Sequence, residues 1–162
     1  MEQPKSLLQV AEFHKTFQHP ILPTPTIPDE KRSKLRVDLI AEELKELEEA
    51  IKDNDLVEIA DALCDIQYVL SGAILEFGLG EKFKELFDEV QRSNMSKACE
   101  TEEEAQATIE AYAKKGTEGY YKRIEEKWLV FRKEDNKTLK SINYSPADLK
   151  KIINNSKRGE NE

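Results

Sequence analysis

The chain has 162 residues, enough for one domain, and its 36% charged and 38% hydrophobic composition is that of a helical protein with a modest core. A net charge of −8 argues against general nucleic-acid binding, which needs a basic surface, yet it leaves room for a phosphorylated ligand reached through cations. With two cysteines there is no disulfide framework, the N-terminus lacks a basic-then-apolar leader, and no apolar run approaches membrane-spanning length, so a cytoplasmic protein is expected.

The periodicity predicts a single domain: a helical core over about residues 6–98, then a helix, a hairpin and a short C-terminal helix over about 100–154. Residues 6–18 read as the first helix, with Ser6 and Gln9 as a capping box and Leu7, Val10, Phe13, His14 and Phe17 on its packing side. His14 is expected to be a packed or hydrogen-bonded histidine. His19-Pro20 ends the helix. Residues 20–30 hold four of the six prolines and must be extended. They are too apolar for a free linker and are expected to lie across the core.

Two helices follow, Lys31 to Lys52 and Leu56 to Phe77, joined by Lys52-Asp53-Asn54-Asp55 and ended by Gly78 as a C-cap. An α-helix turns about 100° per residue. On the first, Leu35, Leu39, Ile40, Leu44, Leu47, Ala50 and Ile51 mark an apolar arc. Glu43 falls near its middle, Glu46 inside it and Glu42 at its edge, while Asp38, Lys45, Glu48, Glu49 and Lys52 take the opposite face. On the second, Glu58, Asp61 and Asp65 share one stripe, flanked by Ala62 and Val69 on one side and Cys64 and Tyr68 on the other. A helix apolar nearly all round is normally buried, so these acids are expected to be buried with it, and Cys64 with them.

Gathering carboxylates away from water raises their pKa values, so either they protonate or a multivalent cation holds them. A set with no histidine or cysteine suits a hard, oxygen-seeking ion, Mg²⁺ or Mn²⁺. Two members have a plainer reading as well. Glu42 fits an exposed surface glutamate, and Asp55-x-x-Glu58 fits a helix cap. Asp61 and Asp65 have no such local explanation.

Residues 80–98 read as an amphipathic helix through Phe83, Leu86, Phe87 and Val90. Its end, Arg92-Ser93-Asn94-Met95-Ser96-Lys97, serves either to compensate the helix dipole or to contact phosphate. Cys99 reads as a surface thiol. Thr101-x-x-Glu104 caps a polar helix over 101–115, and Tyr120, Tyr121 and Ile124 read as a short helical turn. Lys127 to Lys133 alternates as a strand, Glu134-Asp135-Asn136 as a turn, and Lys137 to Ile142 as its partner strand, a hairpin carrying Lys137 and Lys140. Ser145-Pro146-Ala147-Asp148 starts the last short helix, and the tail from Asn154 is expected to fray.

No glycine-rich phosphate loop, serine–histidine–aspartate order or CxxC pattern is present, and neither histidine makes a Glu-x-x-His motif. A carboxylate cage for divalent ions remains. Such ions bind nucleotide phosphates and neutralise charge on a leaving group, and a free carboxylate beside them takes a proton from water, so phosphoanhydride hydrolysis is the natural reaction class.

Glu-Glu-x-x-Glu-Leu (Glu42 to Leu47) followed by Glu-x-x-Asp (Glu58 to Asp61) resembles the signature of the MazG-like, all-α nucleoside triphosphate pyrophosphohydrolases. Phe13-His14, the Arg36-to-Leu47 stretch, Ala60 to Asp65, Arg92 to Lys97, and Lys137 to Lys140 with Asn143-Tyr144 are similar to one branch of that superfamily, whereas residues 100–126 carry no resemblance. The resemblance implies an all-α antiparallel bundle completed by assembly into a homodimer or homotetramer. It also implies Mg²⁺-dependent cleavage of a (d)NTP between its α- and β-phosphates, in nucleotide-pool house-cleaning. Glu42, Glu43, Glu46, Glu58 and Asp61 would then hold metal, with Glu43 the choice for activating water. Asn94 and Lys97 would face phosphates or metal, and Lys137, Lys140 and Tyr144 would contact nucleotide. Many relatives carry Glu-Glu-x-x-Asp at the second motif with the last Asp where Asp65 stands, a register that puts Ala62 at the second Glu, so Asp65 stays open as a ligand. Independently, the second helix is apolar on more than one side, which argues for a symmetric partner. Two other readings stand beside this one: a non-catalytic helical dimer binding an ion or a regulatory nucleotide, and a phosphoribosyl-ATP pyrophosphohydrolase.

Overall fold

The computed structural model describes residues 2–155, and these group into two compact units, residues 2–83 and 84–155. The tail expected to fray from Asn154 lies, beyond Asn155, outside the described residues. The division falls at the start of a helix that the sequence pattern joined to the helical core.

The first unit consists of α1 (Ser6–Thr16), α2 (Glu30–Lys52), α3 (Leu56–Glu76) and a short 3₁₀ turn (Gly80–Lys82). α1 and α2 both pack on α3. The expected Ser6–Gln9 capping box is not formed. Lys5 is the N-cap residue and supplies no side-chain bond, because the helix begins at Ser6 itself. α2 is capped by Asp29, whose carboxylate accepts from the Arg32 N–H at 2.9 Å. α3 is capped by Asp55, which accepts from the N–H groups of Val57 and Glu58 at 2.9 and 3.2 Å.

The proline-rich segment has a definite task at the other end of α3. The last carbonyls of a helix have no partner of their own. Here the Leu22 N–H donates to the Leu75 carbonyl at 3.1 Å and the Thr26 N–H to the Phe77 carbonyl at 3.0 Å. Gly78 then closes the helix with φ +67°, its own N–H on Leu75 and that of Leu79 on Ile74, the paired bonds of a Schellman ending. A Cβ on Gly78 would stand 1.8 Å from the Thr24 carbonyl oxygen, so glycine is required twice over, by backbone angle and by space.

α3 is not buried along its whole length. Ser71, Gly72, Ile74, Leu75 and Glu76, in its C-terminal half, are buried. Leu56, Val57 and Leu63, in its N-terminal half, are 77%, 75% and 52% exposed. Cys64 is exposed too, contrary to expectation: the described elements cover this stretch of the helix on the side of Ala62, which is buried, and leave the side of Leu63 and Cys64 open.

The second unit begins within α4 (Phe83–Met95) and continues through α5 (Glu102–Ala113), β1 (Gly119–Ile124), β2 (Lys127–Arg132) and α6 (Leu149–Asn154). Cys99, Ala105, Val130 and Leu139 form its core, with Ile109, Tyr112, Tyr121 and Trp128 packed around them. Cys99 is therefore the opposite of a surface thiol. Its N–H and carbonyl pair with Trp128 at 2.8 and 2.9 Å, and its Sγ lies 3.7 Å from Thr108 Oγ1.

The hairpin also differs from expectation. Tyr120, Tyr121 and Ile124 form strand β1 rather than a helical turn, as aromatic and β-branched residues favour once a hydrophobic surface is there to receive them. β1 runs antiparallel to β2 from Gly119 opposite Arg132 to Ile124 opposite Lys127, turning at Glu125, where φ is +54°. Residues 137–142 make no full strand. Only Thr138 bridges, to Phe131, before the chain turns away at Ser141, whose N–H donates to the Lys97 carbonyl at 3.2 Å. Lys137 and Lys140 thus lie outside the hairpin strands. Thr101 caps α5 through the Glu104 N–H at 3.2 Å, but the Glu104 carboxylate answers with the Glu100 N–H at 3.0 Å, one residue away from a closed capping box. α6 starts after Asp148, which accepts from the Lys151 N–H, and not at Ser145. The helix over 80–98 resolves into the 3₁₀ turn and α4, which stops at Met95.

Candidate functional site

α2 and α3 are antiparallel across their shared seam. Near its middle Glu43 on α2 lies within the field of Asp65 and Asp61 on α3. Towards the far end Arg36 and Arg32 on α2 meet Glu76 on α3. The acids do not share the deep burial that the helical pattern predicts. Glu42, Glu46, Glu58 and Asp61 are exposed in the protomer, and Glu43 and Asp65 half-buried, because the face that the apolar residues of α3 prepare is open there.

Their electrostatics nevertheless set them apart. Loss of hydration holds the Glu43 carboxyl above the usual carboxylate range, and the charges of Asp65, Glu46, Glu42 and Asp61 push it the same way. Four of the other five predicted acids therefore act on Glu43, and Asp65 is foremost among them. Glu58 takes no part in this. Among the described residues no lysine, arginine or histidine pairs with any of the six. Lys45, the nearest cation in sequence, points to Glu49 at 3.5 Å instead. Also among the described residues, no three His, Cys, Asp or Glu side chains converge to hold a metal ion as they stand. The donor chemistry does fit one: oxygen donors only, from two facing helices, with a raised pKa at the centre and no protein cation to lower it.

The other predicted residues belong to the second unit. Asn94 Oδ1 accepts from Lys97 Nζ at 2.8 Å. Ser93 Oγ and the Tyr144 hydroxyl are 3.0 Å apart, and Lys140 Nζ stands 4.3 Å from the centre of the Tyr144 ring. The end of α4 and residues 140–144 are thus tied to each other, bringing Asn94, Lys97, Lys140 and Tyr144 to one neighbourhood through Ser93 and the Ser141–Lys97 bond. Lys137 is not tied into this group. Its N–H donates to Asp135 at 3.1 Å, beside the end of β2. Arg92 is committed to structure: it binds Glu89 at 2.7 and 2.8 Å, together with Ser145 Oγ and the Pro146 carbonyl at 3.0 Å, and pulls the Glu89 carboxyl down to about 2.

Two features of the first unit were not singled out in the sequence pattern. One is the buried ion cluster of Glu76, Arg32 and Arg36, which a search for opposite charges on the facing stripes of α2 and α3 would have found. The other is an aromatic group on α1 and α3, where Phe13 stacks on His19 at 5.7 Å and meets Tyr68 edge-on at 5.6 Å. His14 is buried as expected, its Nδ1 2.9 Å from the Pro20 carbonyl, and burial holds its pKa below the ordinary value.

An antiparallel helix pair that presents Glu-Glu-x-x-Glu against Glu-x-x-Asp, in an all-α unit, defines the class: the MazG-like superfamily. Within it, residues 10–94, from α1 through most of α4, match the family model described as phosphoribosyl-ATP pyrophosphohydrolase, and the chain belongs to that family. It is also similar to an uncharacterized protein of Acanthamoeba polyphaga mimivirus, 39% identical over 92 residues, which are 54% of this chain and 37% of that protein. The chain thus matches little more than a third of that relative's length. No single helix among the described residues is long and apolar enough to cross a membrane.

Proposed function

We propose that the protein is a Mg²⁺-dependent nucleoside triphosphate pyrophosphohydrolase that cleaves a (d)NTP between the α- and β-phosphates. Water adds to the α-phosphorus, the bond from that phosphorus to the bridging oxygen breaks, and a nucleoside monophosphate and pyrophosphate result. The observation that carries this reading is the state of Glu43, a half-buried carboxylate set among four neighbouring acids on two facing helices, whose proton affinity is raised by lost hydration and then by those acids, with no cationic residue paired to offset them. Glu42, Glu46, Asp61 and Asp65, with Glu58 from the first turn of α3, would hold the divalent ion, Mg²⁺ or Mn²⁺. The ion supplies Lewis-acid neutralisation of the phosphate charge. Glu43 is suited to accept the proton that the attacking water gives up, since a carboxylate tuned upward is a better base near neutral pH. Asn94, Lys97, Lys140 and Tyr144 would offer an amide, two cations and a hydroxyl to anionic and polar groups of the nucleotide, and Lys137 a further cation.

The exposed apolar side chains of α2 and α3, Ile51, Leu56, Val57 and Leu63 among them, support assembly into a homodimer or homotetramer. The family match supports a second reading with the same bond cleaved, in which phosphoribosyl-ATP is the substrate. A panel of (d)NTPs and phosphoribosyl-ATP, assayed for pyrophosphate at equal Mg²⁺, separates the two. Glu43→Gln is expected to lower turnover by about 10² or more on the preferred substrate. Full activity in that variant, or no pyrophosphate from any substrate, overturns the reading.

A further inference from the structure

The ion cluster at the far end of the α2–α3 seam has no place in the reaction proposed above, yet it is the most elaborately built feature of the first unit. Glu76, in the last turn of α3, is 1% exposed. Its Oε1 accepts from Arg32 Nε at 2.5 Å, its Oε2 from Arg32 Nη2 at 2.9 Å, and Oε2 also accepts from Arg36 Nε. Arg32 and Arg36 are one turn apart on α2, so a single carboxylate grips two successive turns of the opposite helix. Arg36 is itself 6% exposed. Space for its guanidinium is made by Gly72, one turn before Glu76: a Cβ there would stand 2.8 Å from Arg36 Nη1 and 3.1 Å from His14 Nε2. α1, α2 and α3 therefore converge on this one charge.

The spacing links the cluster to the acids. Glu43 is seven residues from Arg36, two turns along α2, and Asp65 is eleven from Glu76, three turns along α3, so each pair shares one face of its helix. Fixing Arg36 on Glu76 fixes the register in which Glu43 meets Asp65. A carboxylate set drawn from two helices binds a divalent ion only if the helices hold that register, and helix contacts made by apolar side chains alone tolerate a slip better than a bidentate ion pair does.

We infer that Glu76, Arg32 and Arg36, with Gly72 as the recess, are positioning residues that lock the α2–α3 register and so set the divalent-cation affinity of the acids two to three turns away. The inference rests on the metal-binding part of the reading above. Its test is Mn²⁺ titration of the full chain, followed by electron paramagnetic resonance. Glu76→Gln and Gly72→Ala should each weaken Mn²⁺ binding about ten-fold, the usual cost of losing a residue that orients metal ligands. Arg32→Gln, which leaves Arg36 on Glu76 and so protects the fold, should weaken it by less but measurably. Ile74→Val, in the buried face beside the cluster, serves as a control that lowers stability without touching the ion pairs. It should leave Mn²⁺ affinity unchanged at a temperature where every variant is folded. Wild-type affinity in folded Arg32→Gln and Gly72→Ala, or an equal loss in Ile74→Val, overturns the positioning role alone. Failure of the wild-type protein to bind Mn²⁺ overturns the metal reading on which it rests.

Discussion

The middle and the far end of the α2–α3 seam pose the same physical problem and resolve it differently. At each place carboxylate side chains enter the groove between mostly apolar helices. At Glu76 burial by itself would raise the pKa, but bonds from Arg32 and Arg36 outweigh it, and the carboxyl is held below its usual range. At Glu43 lost hydration raises the pKa too, the protein supplies only further acids, and the carboxyl is held above its usual range. A charge that the fold neutralises from its own residues is part of the fold. One that the fold surrounds with like charges is built to meet something from outside. The partner set, and not burial, distinguishes a structural acid from a functional one here: Glu76 is the more deeply buried of the two.

The largest effect expected of any substitution follows from the neutralised end. Glu76→Ala leaves Arg36 buried without a counter-charge, and removing one partner of a buried pair costs about 3–5 kcal/mol. Urea denaturation should show that loss. A loss under about 1 kcal/mol would mean that the guanidinium groups find water, and that the cluster does not organise the first unit.

The same contrast fixes a pH response. A carboxylate whose folded pKa is depressed contributes stability above its ordinary range and loses it as pH falls through the folded value, so Glu76 makes the protein acid-labile. Glu43 has the opposite sign. Its raised pKa means that the folded state binds protons more readily than the unfolded chain, so acidification through that window favours folding, and neutral pH is where its ionisation opposes folding. Urea midpoints from about pH 7 downward should therefore fall steeply below the ordinary glutamate range. Glu76→Gln, already destabilised, should lack that additional acid loss.

Next in size is the ending of α3. Gly78→Ala meets both a positive φ and the Thr24 carbonyl, and should cost more than about 1 kcal/mol by the same urea measurement. A smaller effect, of opposite direction, is expected at the acids in the middle of the seam. With metal chelated, Glu43→Gln relieves repulsion from Asp65, Glu46, Glu42 and Asp61, and the melting temperature should rise at neutral pH. Adding Mg²⁺ should then stabilise the wild-type protein more than the variant. A variant that melts lower in chelator would show that Glu43 has a favourable partner after all, and the contrast between the two places would collapse.

These particulars also mark what the sequence could reveal. Helical periodicity located α2 and α3 because their patterns are long, and it placed Glu43 on the inner arc because that face is set by the wheel alone. Asp55 and Gly78 were legible as caps for a similar reason: each acts within a few residues. What failed was whatever depended on a partner distant in the chain. Tyr120 and Tyr121 became a strand because α5 and β2 give them a surface. Cys99 is buried because it pairs with Trp128, and Cys64 is exposed because the described residues leave its side of α3 open. Glu76 looks like an ordinary helix-end glutamate until Arg32 and Arg36, some forty residues earlier, are brought beside it.

The smallest prediction tests whether the contrast belongs to the seam or to charge in general. Lys45 and Glu49 form a pair on the outer face of α2, with N–O 3.5 Å and side chains 76% and 59% exposed. Water and salt screen such a pair, so Lys45→Ala should change stability by no more than about 0.5 kcal/mol. It also removes a positive charge from the helix that carries Glu42, Glu43 and Glu46. If long-range charge governed the acids, Mn²⁺ would bind the variant more tightly at low salt, and the difference would shrink as salt was added. If lost hydration and direct neighbours govern them, as the causes of Glu43's raised pKa indicate, Mn²⁺ affinity should stay at the wild-type value across the same salt series. A strong salt-dependent change would move the source of Glu43's behaviour from the seam to the net charge of the whole chain.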